Sequence, residues 1–307
     1  MKISIVIPAF NEEKNVGLLY EELKNVLAPI GKYEIIFVDD GSRDGTFKEL
    51  EKIHKKGNVK IIKFKRNFGK GAAITAGLKE ANGNYIITMD ADLQDNPKEI
   101  PRFLEKIKNE GHDMIVGWKY PRLDPLSKKV PSKIFNFLVR RLTGVKLHDC
   151  DNNFRIFHKE LKNYLSVYGG LFRYIPVIAH WRGFSIGEMK VEHRKRIYGK
   201  SKWGVSRLFR GFFDLLTIKY ITSFSDSPSH LFASLGSLSL GLGFITGVYL
   251  LYLKYFLGAL IGDRPLLLLS ILMIITGIQF ISFGLLTEMF RFNYKVEETY
   301  IIEKKLV

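Results

Sequence analysis

The chain has 307 residues, with 47 lysine and arginine residues against 31 aspartate and glutamate residues, which gives a formal net charge of +16. This excess of positive charge indicates an anionic partner, such as a nucleic acid, a phosphorylated substrate or an anionic membrane face. The one cysteine, Cys150, excludes an internal disulfide and a zinc site built on paired cysteines.

The first 120 residues alternate apolar runs with segments of helical spacing, which predicts a parallel sheet covered by helices on both faces. The expected strands are residues 2–8, 33–39, 59–64, 85–89 and 113–117. The expected helices are residues 12–27 with Asn11 as N-cap, 44–56, 69–81 and 97–110. Ligands bind at the carboxyl ends of strands in such sheets, so the residues that follow these strands are the candidates for a site.

The fourth predicted strand runs into two carboxylates, Asp90 and Asp92, with Gln94 close behind. Hard divalent ions prefer oxygen ligands and typically take one or two carboxylates together with substrate phosphates. We therefore expect Mg²⁺ or Mn²⁺ at these three residues. An Asp-x-Asp pair alone is more often a surface turn, and its position after a buried strand favours the metal site.

The first and second predicted strands also end in polar residues. Asp40 is suited to accept a hydrogen bond from a base N–H, and the turn at Pro8 and Ala9 can pack on the face of that base. An ordinary strand-to-helix turn with an N-cap is the alternative for Asp39 and Asp40. Lys70 lies near a predicted helix N-terminus, where it can face a phosphate.

Four segments together resemble the signature of family 2 glycosyltransferases of the GT-A fold. They are PAFNE at 8–12, VDDGS at 38–42, RNFGKGAAITAG at 66–77 and MDADLQDNP at 89–97. YGKSKW at 198–203 and the paired apolar runs near the C-terminus resemble polyisoprenyl-phosphate glycosyltransferases, including dolichol-phosphate mannose synthases. The resemblance implies a Rossmann-like, mostly parallel sheet and a metal-dependent, inverting transfer. The sugar would pass from a donor of the UDP-glucose or GDP-mannose type to a polyisoprenyl phosphate.

The same resemblance implies the site residues. The nucleotide sugar would contact Pro8, Ala9, Asn11, Glu12, Asp39, Asp40, Lys70, Asp90, Ala91 and Lys119. The acceptor phosphate would contact Lys128, Ser132, Arg196 and Lys202. The catalytic set would be Asp90, Asp92, Asp149, Arg196 and Lys202, with Asp149 as the carboxylate near the acceptor. Arg196 and Lys202 match a basic loop that closes over the diphosphate.

Two runs without charge, residues 231–253 and 265–287, predict a transmembrane hairpin. At about 1.5 Å per residue each helix would reach roughly 35 Å, and the hydrocarbon core of a bilayer is about 30 Å thick. Seven basic residues and no acid lie between Arg194 and Arg210, so the positive-inside rule places the catalytic domain and the C-terminus in the cytoplasm.

These patterns predict a glycosyltransferase domain at 1–203, juxtamembrane interfacial helices at 204–230, the transmembrane pair within 231–287 and a cytoplasmic tail at 288–307. The expected partners are the nucleotide sugar, the lipid phosphate and the membrane, without nucleic acid. The Gly243 and Gly247 pair favours a homo-oligomer through the membrane and juxtamembrane region. A processive polysaccharide synthase, and a membrane-anchored nucleotide-sugar binding protein without catalysis, are the alternatives.

Overall fold

The computed structural model describes residues 2–123, 126–165, 167, 169–195, 198, 206–224 and 227–293. It describes the backbone alone at 126–128, 206–210, 212, 228 and 291–293. The chain divides into two compact units, Met1–Lys219 and Tyr220–Val307. The first is a mixed sheet with helices and the second contains two long apolar helices, which confirms the predicted fold class.

The strands of the described residues form one seven-stranded sheet. They are β1 (Lys2–Ala9), β2 (Lys32–Asp39), β3 (Val59–Lys63), β4 (Tyr85–Thr88), β5 (Met114–Lys119), β6 (Arg155–His158) and β7 (Ile186–Val191). Their order across the sheet is β3-β2-β1-β4-β6-β5-β7. Neighbouring strands run parallel except at β6, which is antiparallel to both β4 and β5.

Helices connect most of the strands of the first unit. They are α1 (Glu13–Leu27), α2 (Thr46–His54), α3 (Lys70–Glu80), α4 (Ile100–Glu110), α5 (Leu126–Thr143) and α6 (Ile175–Trp181). After the last strand, α7 (Ser206–Phe224) begins in the first unit and ends in the second. Short 3₁₀ helices lie at Pro97–Glu99, Lys159–Tyr164 and Leu171–Tyr174. The expectation that Asn11 caps α1 is wrong. Glu12 is the N-cap, and Asn11 adopts a positive φ of 54° because its side chain binds a neighbouring loop.

Alternate residues of a strand point to opposite faces of the sheet, and apolar clusters cover both faces. On one face, Ile5 of β1 packs in a cluster with Leu19 of α1 and Phe103 of α4. On the other face, Val6 belongs to a cluster with Ile74 of α3. Each fully buried aliphatic side chain contributes roughly 1.5–3 kcal/mol. These two layers therefore fix the strand ends on which the site is built.

The second unit contains α8 (Pro228–Leu257) and α9 (Pro265–Asn293). Each contains a candidate membrane span, Ser229–Leu257 with a mean hydropathy of 1.7 and Pro265–Phe290 with a mean hydropathy of 2.4. Only 11% of the most apolar stretch of each helix is buried, whereas a core helix of a soluble protein would be mostly buried. The two helices are therefore suited to a lipid environment.

Small residues hold α8 and α9 against each other. A Cβ atom added to Gly236 would lie 2.7 Å from the carbonyl oxygen of Gly277, so only glycine allows this approach. Ser270 Oγ donates a 2.7 Å hydrogen bond to Thr246 Oγ1 across the pair. Gly243 also packs on α9, whereas Gly247 faces open space. Gly243 is thus used within the hairpin, so the Gly243 and Gly247 pair does not present two free glycines to a second copy.

Candidate active site

Asp39 and Asp40, at the end of β2, organise two loops. Both carboxylate oxygens of Asp40 accept backbone hydrogen bonds from the loop before α3, at 2.7 Å from Phe68 N–H and 2.9 Å from Gly69 N–H. Asp39 Oδ1 accepts from Ser42 N–H at 2.9 Å. Asp39 Oδ2 is buried and accepts no hydrogen bond from the described residues. A buried acceptor of this kind suits an N–H or hydroxyl group of a ligand.

The loop after β1 is tied to the loop after β2. Asn11 donates its backbone N–H to Ser42 Oγ at 2.9 Å, and its side-chain oxygen accepts from Arg43 N–H at 2.9 Å. Glu12 donates its backbone N–H to Thr46 Oγ1 at 2.8 Å. Asp40 N–H donates to the carbonyl of Ala9, next to the half-buried Pro8. These bonds hold the predicted nucleotide-binding residues of β1 and β2 in one cluster.

Asp90 follows β4 with its carboxylate between two donors. Lys70, the first residue of α3, places Nζ 2.6 Å from Asp90 Oδ1, and Asn153 Nδ2 donates to the same oxygen at 2.9 Å. Burial alone would raise the pKa of Asp90, but Lys70, Lys119 and the two hydrogen bonds lower it to about 2. Asp90 is therefore ionised at physiological pH, and the buried Ala91 follows it.

Lys119, at the end of β5, faces several carboxylates. Its Nζ lies 3.1 Å from Asp95 Oδ1. Burial lowers the pKa of Lys119, but Asp95, Asp90, Asp92 and Asp149 raise it above its ordinary value. Asp95, which was not among the predicted site residues, is buried and also accepts the backbone N–H of Asp90 at 3.1 Å. The Lys119 ammonium group, together with Lys70, thus offsets part of the negative charge of this sheet edge.

Asp92 and Gln94 form a short turn after Asp90. Gln94 N–H donates to Asp92 Oδ1 at 3.1 Å, and the Gln94 side-chain amide lies 3.2 Å from His193 Nε2. No group of three or more His, Cys, Asp or Glu side chains in the described ranges is arranged to hold a metal ion. An ionised Asp90 near Asp92 fits a divalent ion that takes its remaining ligands from a diphosphate.

Arg122 and Ser132 form a second polar group beside Asp149. Arg122 Nη1 donates to Ser132 Oγ at 2.6 Å and lies 3.7 Å from Asp149 Oδ1. Burial raises the pKa of Asp149 to about 6, although Arg122 and Lys119 act to lower it. Ser132 and Asp149 were among the predicted site residues, whereas Arg122 was not. The side chain of Lys128, and both Arg196 and Lys202, lie outside the described residues.

His193 and Asn153 support the site and were also missed. His193 Nδ1 accepts from Leu123 N–H at 3.1 Å, so the ring joins the Gln94 turn to the segment that carries Arg122. Asn153 holds Asp90, and its own Oδ1 is buried without a partner in the described structure. The stretch HDCDNNFR at 148–155 was a signal for Asn153, but its sequence alone does not show which strand it joins.

The model of the family described as Glycosyl transferase family 2 matches residues 4–165 of the 307, which include the ends of β1, β2 and β4. The chain belongs to this family. The predicted enzyme class, a glycosyltransferase, is therefore confirmed.

Two curated relatives of this glycosyltransferase match along nearly its whole length. The dodecaprenyl-phosphate galacturonate synthase of Rhizobium johnstonii is 39% identical over 303 residues, which cover 96% of this chain and 89% of the relative. The undecaprenyl-phosphate 4-deoxy-4-formamido-L-arabinose transferase of Pseudomonas aeruginosa is 31% identical over 290 residues, 93% of this chain and 84% of the relative. These matches confirm the predicted resemblance to polyprenyl-phosphate glycosyltransferases.

A solved structure supports the fold of the glycosyltransferase. The glucosyl-3-phosphoglycerate synthase of Mycobacterium tuberculosis, crystallised with Mn²⁺, uridine diphosphate and phosphoglyceric acid, superposes with a TM-score of 0.56. The two proteins are 18% identical, and the match covers 71% of this chain and 78% of the other. At this identity the likeness establishes the shared architecture alone.

Proposed function

We propose that the chain transfers a single sugar from a nucleotide sugar to a polyprenyl phosphate, with inversion at the anomeric carbon. The observation that carries this proposal is the position of Asp149. Lys119 of the carboxylate cluster and Arg122, which is bonded to Ser132, both act to lower its pKa, and Arg122 Nη1 lies 3.7 Å from its Oδ1. Asp149 is therefore the residue at which we place the meeting of the two substrates. The names of the relatives, which match over 93–96% of this chain, support a polyprenyl phosphate as the acceptor.

The donor would bind at the ends of β1, β2 and β4. Asp39 Oδ2 is a buried, unpartnered acceptor in the described structure and would receive an N–H or hydroxyl of the nucleoside. Asp90 and Asp92 would hold a Mg²⁺ or Mn²⁺ ion, which supplies Lewis-acid stabilisation to the leaving nucleoside diphosphate. Lys70 pairs with Asp90 and Lys119 pairs with Asp95, so the two lysines offset part of the negative charge of this cluster before the donor arrives.

The acceptor phosphate would bind at Arg122 and Ser132. An arginine guanidinium recognises phosphate with paired N–H donors, and the Ser132 hydroxyl adds one more polar contact. A phosphate monoester has a second pKa of about 6 and is therefore largely ionised before it attacks. The reaction needs no strong general base, and the product would be a β-linked polyprenyl-phosphate sugar if the donor is α-linked.

The predicted organisation completes the proposal. We place the catalytic domain at 1–203 and the C-terminal tail on the cytoplasmic side, with an interfacial segment at 204–230. The basic run from Arg194 to Arg210 supports this orientation through the positive-inside rule. The donor would be of the UDP-glucose or GDP-mannose type. A homo-oligomer stays a prediction. Arg196 and Lys202 stay predicted ligands of the donor diphosphate and of the acceptor phosphate.

The test is a donor panel with the purified full-length protein in lipid that contains undecaprenyl phosphate. UDP-glucose, GDP-mannose, a UDP-linked uronic acid and a UDP-linked formamido sugar would each be supplied with Mg²⁺ or Mn²⁺. Nucleoside diphosphate release and mass spectrometry of the lipid product are measured. We expect one donor to give lipid with a single sugar, and to give no turnover without lipid phosphate.

Two results would contradict the proposal. A polymer on the product would indicate a processive synthase, and tight donor binding without any transfer across the panel would indicate a binding protein. Arg122→Ala should raise the KM for the lipid phosphate much more than the KM for the donor. Arg102→Ala removes an exposed arginine of α4 as the matched control and should change neither constant.

A further inference from the structure

The loop that carries Asp149 joins α5 to β6 and lies outside the described helices and strands. Its backbone N–H groups therefore need acceptors from other parts of the fold. Glu188 Oε1 accepts from His148 N–H at 2.7 Å and from Asp149 N–H at 3.1 Å. Asn136 Oδ1 accepts from Cys150 N–H at 3.0 Å. Side chains of β7 and α5 thus fix the backbone on both sides of Asp149.

Strand β7 places Glu188 beside this loop. Glu188 pairs with Val116 of β5 in a parallel register, and Trp118 lies two residues further along β5, so the three side chains share one face of the sheet. The side chain of Glu188 is 14% exposed, and its second oxygen, Oε2, lies 2.7 Å from His148 Nδ1. Both oxygens of this carboxylate therefore bind the loop.

The end of β5 fixes the same loop through its side chains and its backbone. The rings of Trp118 and His148 stack with their centroids 4.0 Å apart and their planes 9° from parallel. The next residue, Lys119, donates its backbone N–H to the carboxylate of Asp149. Asp149 Oδ1 also lies 3.7 Å from Arg122 Nη1. The backbone of Asp149 is thus fixed by β7, and its carboxylate lies between β5 and Arg122.

We infer that Glu188 is a positioning residue that holds the backbone around Asp149 and so sets the distance from the Asp149 carboxylate to Arg122. The hydrogen bond from His148 N–H is exposed to solvent, so water can replace Glu188 and the loop can shift while the sheet stays folded. A displaced Asp149 would no longer orient the Arg122 guanidinium. The inference rests on the proposed function, in which Arg122 binds the lipid phosphate.

The first test compares Glu188→Ala with Glu188→Gln in the purified full-length protein, with undecaprenyl phosphate as the acceptor. Glutamine keeps an oxygen that accepts both backbone N–H groups, whereas alanine removes it. We expect Glu188→Ala to lower kcat/KM for the lipid phosphate roughly tenfold and to leave the donor KM within about twofold. Glu188→Gln should restore most of the lost kcat/KM. Glu105→Ala removes an exposed acid of α4 as the matched control and should change neither constant.

Two further variants separate the hydrogen bonds from the charge and from the stacked ring. Glu188→Asp keeps the charge but withdraws both oxygens by one methylene group, so its loss should be close to that of Glu188→Ala. His148→Ala keeps both backbone N–H groups, so its loss should be smaller than that of Glu188→Ala.

Four kinetic results would overturn the inference. Wild-type constants in a folded Glu188→Ala or in Glu188→Asp would show that Asp149 needs no positioning from β7. A loss in Glu188→Gln as large as in Glu188→Ala would show that the backbone hydrogen bonds are not what Glu188 contributes. An equal loss in His148→Ala would assign the positioning to the stacked ring.

The second test needs no substrate. Hydrogen exchange at the Asp149 amide is measured by mass spectrometry in the wild-type protein, in Glu188→Ala and in Glu188→Gln. Exchange should be roughly tenfold faster in Glu188→Ala, because its N–H has lost its acceptor, and unchanged in Glu188→Gln. Equal rates in all three proteins would overturn the inference even where transfer is normal. Faster exchange in Glu188→Ala of a chain that transfers no sugar would support the positioning role and refute the proposed function alone.

Discussion

Lys119 Nζ, which is half-buried, and Oδ1 of the buried Asp95 form an ion pair of 3.1 Å at the junction of the Asp90 turn and the end of β5. Asp95 also accepts the backbone N–H of Asp90, so the pair fixes the turn that carries Asp90 and Asp92. Removal of one partner leaves the other charge buried without compensation, which costs more than removal of both.

We therefore expect Lys119→Met to reduce the free energy of unfolding by about 3–5 kcal/mol. The double variant Lys119→Met with Asp95→Asn should lose less than the single lysine variant, since no isolated charge remains at position 95. Denaturant unfolding followed by tryptophan fluorescence reports on this unit, because Trp118, Trp181 and Trp203 all precede residue 219. Strictly additive losses in the two single variants would refute the coupling.

The predicted metal site is tested at Asp92. Asp92→Asn keeps an oxygen that can accept from Gln94 N–H but removes the charge that would bind the ion. Transfer should fall by roughly 10²–10³-fold while stability is preserved. Glu51→Gln, an exposed acid of α2, is the control and should be neutral. Full turnover in excess EDTA would show that the reaction needs no divalent ion.

The raised pKa of Asp149 predicts a dependence of stability on pH. Its pKa of about 6 in the folded chain exceeds the ordinary value near 4. The folded state therefore holds this proton more tightly, and the carboxyl group destabilises the fold increasingly as pH rises from about 4 to about 6. Asp149→Asn should raise the free energy of unfolding by roughly 1–3 kcal/mol at pH 7.5 and change it little at pH 4.

The Asp149 prediction is measured by denaturant unfolding at both values of pH. Stability is the readout because the lipid phosphate itself titrates near pH 6, which would confuse a profile of activity against pH. A stability gain that is equal at pH 4 and pH 7.5 would mean that packing, and not ionisation, distinguishes the variant.

The orientation of the hairpin is tested at the link between α8 and α9. Leu260 in this link is 87% exposed, and a cysteine there should react with a membrane-impermeant maleimide from the side opposite the catalytic domain. Cysteine at Lys48, on α2, is the control for the catalytic side. Reaction of both cysteines from the same side of sealed vesicles would contradict the predicted topology.

The sequence predicted well which carboxylates lie at the strand ends. Asp39, Asp40, Asp90 and Asp92 follow apolar runs, and parallel strands bring their carboxyl ends to one edge whatever the exact helix boundaries are. The sequence predicted a helix at 44–56, whereas α2 is Thr46–His54, and this difference moves none of these residues. Periodicity and sheet geometry were sufficient here.

The contacts made by Asn153, Arg122 and His193 were harder to predict, because these residues meet their partners through long-range pairing. Strand β6 (RIFH) has four residues, two of them basic, and its apolar pattern is too short to indicate a strand. Its antiparallel pairing brings Asn153 to Asp90. Arg122 and His193 lie 71 residues apart, and only the finished fold places them around one turn. No local pattern contains that information.

The position of β6 also has a consequence during synthesis of the polypeptide. β4 and β5 leave the ribosome before β6 and do not pair with each other. β4 can pair with β1 along one edge, but its other edge and the facing edge of β5 must wait for residues 155–158. A nascent chain that stops before β6 exposes two apolar strands with open backbone edges, which are prone to pair with other chains. Fragments cut after residue 120 would therefore aggregate, although they contain every residue of the Asp39 and Asp90 turns.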